Sequence, residues 1–264
     1  MTLPRPDPAF HWSVEPWGPA LSCSGLATAA QHLFTSRQLE LRAGDTAWAA
    51  AAASLGALPD RVMRVKQVHG NVVRVLRRGG TTPSSSRERP DGDAIVSNDP
   101  GLVLAVMVAD CVPILVADSE AGATAAIHAG WRGTCARVAA TAIQRMRDEF
   151  GTNPADLVAA LGPSIGPGDY KVGDALIEQF RSAGHDTADI ARWFRRGESG
   201  LHLDLWSANR DQLIAAGLNP GRIFSSGLST LAHPEVFDSF RAEGENAGRM
   251  AGLIRVPDHT TRPT

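Results

Sequence analysis

The sequence predicts a mixed α/β chain with a sheet-rich middle and a second half in which strands and helices alternate. Four closely spaced apolar runs, residues 93–97, 102–109, 112–117 and 123–128, are rich in small and branched residues and bounded by Gly, Pro or Asp. Continuous runs of this length mark strands covered on both faces; a half-exposed strand would alternate. A helix-period stretch over residues 134–150 follows, with Val138, Ile143 and Met146 as inward positions and Gly151 as its stop. With 6% aromatic residues and 26 glycines, the composition agrees with a compact mixed enzyme.

The elements follow in order. Residues 1–19 carry Pro4, Pro6, Pro8, Pro16 and Pro19 and read as an N-terminal tail leading into the first strand. Between 61 and 76, recurrent valines suggest two extended stretches meeting at a His69-Gly70-Asn71 turn. Residues 81–92 are polar, Ser-rich and Pro-containing, a surface loop that interrupts the sheet region without dividing two domains. Beyond the long helix, strands are expected at 157–161, 201–203, 222–225 and 250–256, and helices at 172–183 and 206–216. Residues 20–256 are therefore read as a single domain, with a C-terminal tail from 257 to 264. No short repeat is present, which excludes a solenoid.

The formal net charge is −2, which argues against a nucleic-acid binder with a basic surface. The longest apolar run is too short to span a bilayer. Three cysteines, Cys23, Cys111 and Cys135, without a CxxC spacing form no disulfide framework. The start lacks the basic-then-apolar order of a secretory signal. These features predict a cytoplasmic protein acting on small molecules, with no membrane or nucleic-acid partner; they leave the oligomeric state open.

Three residues end apolar runs inside short motifs: His69 in Gln67-Val68-His69-Gly70, Cys111 in Ala109-Asp110-Cys111-Val112-Pro113, and His128 in His128-Ala129-Gly130-Trp131-Arg132-Gly133. Singly, each has an ordinary explanation: a turn histidine, a small buried thiol, a tight strand–helix turn. Jointly, two imidazoles and a thiolate suit zinc and stop one ligand short of a closed tetrahedron, as catalytic zinc sites do. Asp110 is expected to orient a ligating histidine, or to cap its own turn. Arg132 and a helix N-terminus after Gly133 are the expected anion site. A metal-free alternative makes Cys111 a nucleophile and His128 its base. Copper is the other candidate metal, since blue-copper sites use two His, one Cys and a weak Met, and Met107 lies near Cys111 in sequence.

These motifs, with Leu161-Gly162-Pro163-Ser164-Ile165-Gly166, Tyr170-Lys171-Val172, Leu203-Asp204-Leu205 and Gly248-Arg249-Met250-Ala251, resemble the laccase-domain "multicopper polyphenol oxidoreductase" family. Its members are also called purine nucleoside phosphorylases or peptidoglycan editing factors. The resemblance spans roughly residues 30 to 256. It implies an α+β, mixed α/β single domain of two mixed β-sheets packed face to face and flanked by helices. It also implies a zinc ion on His69, Cys111 and His128, and phosphorolysis of adenosine, inosine, guanosine or methylthioadenosine with adenosine deamination as a second reaction. A precursor-editing hydrolase, a copper-dependent phenol oxidase and a catalytically altered relative are the alternatives. The chain departs from the family pattern where Phe34-Thr35-Ser36-Arg37 runs directly into Gln38-Leu39-Glu40, at the alanines 49 to 53, at Ser229-Thr230, and at Phe237-Asp238-Ser239-Phe240-Arg241-Ala242.

Overall fold

The computed structural model describes residues 2–80 and 89–256. The chain begins with β1 (Phe10–Glu15), β2 (Gly18–Cys23), α1 (Ser24–Ala27), β3 (Gln31–Thr35), α2 (Asp45–Ser54), β4 (Val62–Met63) and β5 (Val73–Leu76). Next come β6 (Ala94–Ser97), β7 (Val103–Val108), β8 (Val112–Asp118), β9 (Ala123–Ala129), α3 (Trp131–Cys135), α4 (Val138–Phe150) and β10 (Val158–Leu161). Then follow α5 (Ala175–Ser182), α6 (Thr187–Trp193), β11 (Phe194–Gly197), β12 (Gly200–Leu203), α7 (Leu205–Ala215), β13 (Ile223–Ser225), α8 (Phe240–Glu243) and β14 (Met250–Arg255).

Two six-stranded mixed sheets result, in the orders β1-β2-β3-β14-β7-β4 and β13-β10-β8-β9-β6-β5, with β11 and β12 as a separate ribbon. Strand alternation explains the layers. In β7, Leu104, Val106 and Val108 enter the core shared by both sheets, while Val103 and Ala105 pack with Trp48, Ala51 and Ala52 of α2. In β8, Leu115 and Ala117 face that shared core, and Val112, Ile114 and Val116 face Val138, Ala139 and Ala142 of α4. Every residue of these strands therefore meets a covered face, which is why their sequences run apolar without alternation. The layer order is α/β/β/α. The sheets approach closely enough that a Cβ on Gly252 of β14 would lie 3.2 Å from Pro113 Cβ of β8.

Several expectations are corrected. Residues 10–15 are no tail: β1 pairs with β2 from Phe10↔Cys23 to Glu15↔Gly18, and Phe10 is buried in the inter-sheet core. The proline-dense sequence hides the hairpin although none of its prolines falls in β1: Pro4, Pro6 and Pro8 precede it, Pro16 lies in the turn, and Pro19 is the second residue of β2, outside the β2–β3 pairs. The expected helix over 134–150 begins earlier and is broken. Arg137, at φ 59°, separates α3 from α4, and its guanidinium donates to the carbonyls of Ala183 and Gly184 after α5. The two stretches of residues 61–76 do not pair with each other: β4 joins β7 in the first sheet and β5 joins β6 in the second. Of the predicted loop 81–92, residues 81–88 lie outside the described residues, as does the predicted tail 257–264. Among the described residues, no helix is long and apolar enough to cross a membrane.

One buried histidine gives the fold an acid sensitivity. His32 of β3 is 6% exposed; its Nε2 accepts from the Cys23 N–H at 2.8 Å, and its Nδ1 donates to the Ala30 carbonyl at 3.1 Å. Burial holds its pKa down to about 4. Above pH 6.5 the ring is neutral folded and unfolded, so it adds no pH dependence there. Below that value the unfolded chain takes the proton first, and stability falls until the folded ring titrates near pH 4. The loss is on the order of 3 kcal/mol at about 1.4 kcal/mol per pKa unit. Urea unfolding between pH 7 and 4.5 should show this slope, and His32→Gln should flatten it; an unchanged slope would acquit His32.

Candidate metal centre

The three motif residues meet because the chain crosses between the sheets twice at the same end. One crossing, from β4 to β5, carries His69; the other, the tight turn from β7 to β8, carries Cys111. Both demand an abrupt change of direction, and the backbone shows it: His69 has φ 60° and Asp110 has φ 84°. Such conformations in non-glycine residues cost about 1–3 kcal/mol each and persist only where the surroundings hold them. His128 comes from β9, whose register with β8 sets Val112 opposite Ala129 and so brings Cys111 beside Gly130. A Cβ on Gly130 would stand 2.7 Å from Cys111 Sγ and 3.3 Å from the His69 ring, so this glycine is required for close approach.

The ligand atoms of His69, Cys111 and His128 all lie within 4.8 Å of one another. The imidazole rings are 4.8 Å apart, centroid to centroid, and inclined at 80°. His128 is buried, Cys111 half-buried and His69 exposed, so the cluster has a sealed side and an open one. Its donor set suits a borderline-soft ion, and the open side is free for a further ligand. It is the single group of this kind among the described residues.

The carboxylate behind the cluster is Asp93, which sequence reasoning took only as the start of a strand. Asp93 is fully buried; its Oδ1 accepts from the His69 N–H at 2.9 Å and from His128 Nδ1 at 2.9 Å, and its Oδ2 accepts from the Gly70 N–H at 2.6 Å. One side chain thus holds the strained His69 turn and orients His128 with Nε2 toward the other ligands. Burial pushes the Asp93 carboxyl up, but these hydrogen bonds outweigh it and hold it below its ordinary range. A signal was present: a carboxylate opening a wholly apolar strand has to be partnered, because a buried lone charge is costly.

Asp110 does not play the part expected of it. Its Oδ1 accepts from Thr230 Oγ1 at 2.6 Å and its Oδ2 from the Arg241 N–H at 2.6 Å, so it ties the Cys111 turn to the 229–241 segment. Gln67 braces the other crossing: its side-chain amide exchanges hydrogen bonds with the backbone of Met107, at 2.7 and 2.8 Å. The Met107 side chain packs on the α2 side of the first sheet, away from the cluster. Cys23 is buried in the inter-sheet core, and Cys135 Sγ points to the Gln179 carbonyl.

Electrostatics couple the cluster. Burial pushes the Cys111 thiol up, but the charge of His128 and hydrogen bonds from both imidazoles hold it below the usual thiol range. Burial likewise pushes His128 down, and the Cys111 thiolate and Asp93 more than compensate. Cys111 is therefore poised as a thiolate, the form that ligates metal.

A cavity of about 280 Å³ opens on His69 and Cys111. Trp131, Tyr170 and Phe240 give it aromatic surface, Ile165 and Leu205 apolar surface, and Arg132 and Arg241 positive charge. The expected helix N-terminus after Gly133 is absent, since α3 begins at Trp131 and lasts five residues; Arg132 does line the cavity. The last turn of α3 is held from α7, where Gln212 donates to the Thr134 carbonyl at 2.8 Å and Asn209 to Thr134 Oγ1 at 3.0 Å. Burial and the nearby Cys111 charge push the Tyr170 hydroxyl up to about 12, so it stays a donor at neutral pH. Trp131 and Tyr170 lay in motifs already noted; Phe240 and Arg241 lie where the chain departs from its family's pattern.

Residues 35–257 match the family described as "Multi-copper polyphenol oxidoreductase laccase". A purine nucleoside phosphorylase of Bacteroides thetaiotaomicron is 42% identical over 165 residues, 62% of this chain and 60% of that protein, so the match leaves well over a third of the relative uncovered. One of Deinococcus radiodurans is 39% identical over 78% of this chain and 74% of its own length. A protein named adenosine deaminase RL5, from an unknown prokaryotic organism, is 40% identical over 62% of each chain. Among solved structures, the hypothetical protein YfiH of Bacillus licheniformis superposes with a TM-score of 0.83 at 25% identity, covering 93% of this chain and 98% of that one.

Proposed function

Since this chain belongs to the family described as multi-copper polyphenol oxidoreductase laccase, we propose that it is a purine nucleoside phosphorylase carrying one zinc ion on His69, Cys111 and His128. The observation that carries this reading is the His-Cys-His cluster opening into a nucleoside-sized cavity with aromatic and arginine walls. At about 280 Å³ the cavity lies near the small end of ligand pockets, roughly 300–1,000 Å³, which favours a small molecule over a polymer. One cluster, among the described residues, supports a mononuclear site over a multi-copper one.

In phosphorolysis a phosphate oxygen replaces the base nitrogen on the anomeric carbon of the ribose, and the base leaves with a proton. Trp131 and Phe240 offer faces on which a purine stacks, and Tyr170 offers a hydroxyl donor. Arg132 meets the phosphate; its guanidinium lies 4.4 Å from the Trp131 ring centroid, a cation–aromatic contact that restrains it. His69 and Cys111 form the metal edge of the cavity with His128 buried behind them, and Asp93 keeps His128 in one tautomer. A bound zinc ion would supply Lewis acidity to whatever substrate or water oxygen meets it. The deaminase named among the relatives supports a second reading, with water attacking the adenine ring in the same cavity.

Metal-loaded protein incubated with adenosine, inosine, guanosine and methylthioadenosine, with and without phosphate, separates these. Free base formed only with phosphate is the expected result. Inosine formed from adenosine without phosphate would favour deamination. No turnover of any nucleoside would sink both.

A further inference from the structure

Two arginines line the cavity, and nothing in the metal cluster needs them. Neither Arg132 nor Arg241 has a carboxylate partner among the described residues, although Arg37, Arg77, Arg145, Arg181, Arg192 and Arg196 do. Each is instead laid against an aromatic ring of the cavity wall: Arg132 at 4.4 Å from the Trp131 centroid and Arg241 at 5.0 Å from that of Tyr170. Arg241 is further fixed. Its Nη1 donates to the Lys171 carbonyl at 2.9 Å, and its backbone N–H donates to Asp110, the residue before the ligand Cys111. The one carboxylate lining the cavity, Asp110, already accepts from Thr230 and from that N–H. Two restrained guanidinium groups around a carboxylate already engaged leave a net positive wall beside the metal cluster. A purine base and a ribose are neutral, so this charge is matched by something else.

We propose that Arg241 is the second arm of a phosphate-binding subsite, acting with Arg132 on the wall of the metal cavity. The planar fork of a guanidinium suits paired phosphate oxygens, and stacking on Tyr170 lowers the cost of ordering it. This rests on the phosphorylase reading for the identity of the reaction, while the subsite itself requires only that phosphate binds. The phosphate is free inorganic phosphate or one carried by a nucleotide; the chemistry recognised is the same.

The test uses the metal-loaded full chain and Arg241→Gln, Arg241→Lys and Arg132→Gln, with Arg145→Gln on the exposed face of α4 as control. Substitution at Arg241 keeps the backbone N–H bonded to Asp110, so the turn is retained, and equal metal content and thermal midpoint verify that. Phosphate binding without nucleoside is read by calorimetry, and KM for phosphate and for inosine by free-base release. Arg241→Gln should weaken phosphate binding about tenfold or more, the scale of a lost charge-assisted hydrogen bond. Its KM for inosine should stay within about twofold. Arg241→Lys should recover part of the loss, and Arg145→Gln should match wild type. Unchanged phosphate binding and KM in an active Arg241→Gln would overturn the subsite and leave the phosphorylase reading standing. Arg241-dependent phosphate binding by a wild type that releases no base would uphold the subsite and remove that reading. Binding of AMP but not inorganic phosphate, lost in Arg241→Gln, would uphold it with the phosphate carried by the substrate.

Discussion

Cys111→Ser is expected to strip the protein of its metal and its activity together. Serine matches the thiol in size, so the crowded space against Gly130 is preserved and the fold should survive. What is lost is the thiolate: a hydroxyl does not ionise near neutral pH, and it is a poor ligand for a borderline-soft ion. The fall in affinity should exceed the roughly 10–100-fold that outer partners of a metal site are worth, because a ligand itself is gone. Elemental analysis after dialysis measures this and also identifies the ion. Zinc addition should raise the thermal midpoint of wild type and not that of the variant, since only a state that binds is stabilised by mass action. A variant that retained stoichiometric metal would show that the ligand set has been drawn wrongly.

Asp93→Asn should be the next most damaging change, although Asp93 does not line the cavity beside the cluster and is not one of the three candidate ligands. Its carboxylate accepts from three donors, the N–H groups of His69 and Gly70 and Nδ1 of His128. An amide can accept on one side only, and its NH2 would then confront a donor across the 2.6 Å contact to Gly70 or the pair of contacts on Oδ1. Metal affinity should drop about 10–100-fold as His128 loses its orientation. Stability should fall by about 1–3 kcal/mol, the cost of a buried donor left unsatisfied. Zinc titration against a competing chelator and urea unfolding read the two effects. Asp110→Asn is the informative comparison: its partners are Thr230 and the Arg241 backbone, so it should disturb the cavity wall far more than the metal. Equal metal loss in both would contradict the separate roles assigned to the two carboxylates.

The contrast between these aspartates shows where sequence reading stopped. Asp110 stood next to a candidate ligand in sequence and was credited with orienting a histidine or capping its own turn. Asp93 stood thirty-five positions from His128 and was read as a strand end. Sequence adjacency carries no information about which carboxylate faces which imidazole once strands pair antiparallel. The helix over 134–150 failed in a related way. Its residues are helix-compatible throughout, and the break at Arg137 accompanies two hydrogen bonds to the far side of the fold, at Ala183 and Gly184. The hairpin of β1 and β2 was hidden because its prolines cluster around β1, at 4, 6, 8 and 16, and at the start of β2, at 19, and so mark the whole segment as irregular although β1 itself holds none. The buried central strands were legible throughout, because two covered faces leave a continuous apolar run.

The mixed α/β class, the central strands and the three candidate ligand residues were all legible locally, in runs of apolar side chains and in histidine and cysteine types set at their ends. Convergence was decided elsewhere. His69 and Cys111 meet because two separate crossings between the sheets pass the same end, each bought with a strained residue, and His128 joins them through the β8–β9 register. The companions of the cluster, Asp93 behind it and Arg241 on the cavity wall, come from segments remote in sequence. Their roles depend on hydrogen bonds and ring contacts that exist only once the two sheets have packed.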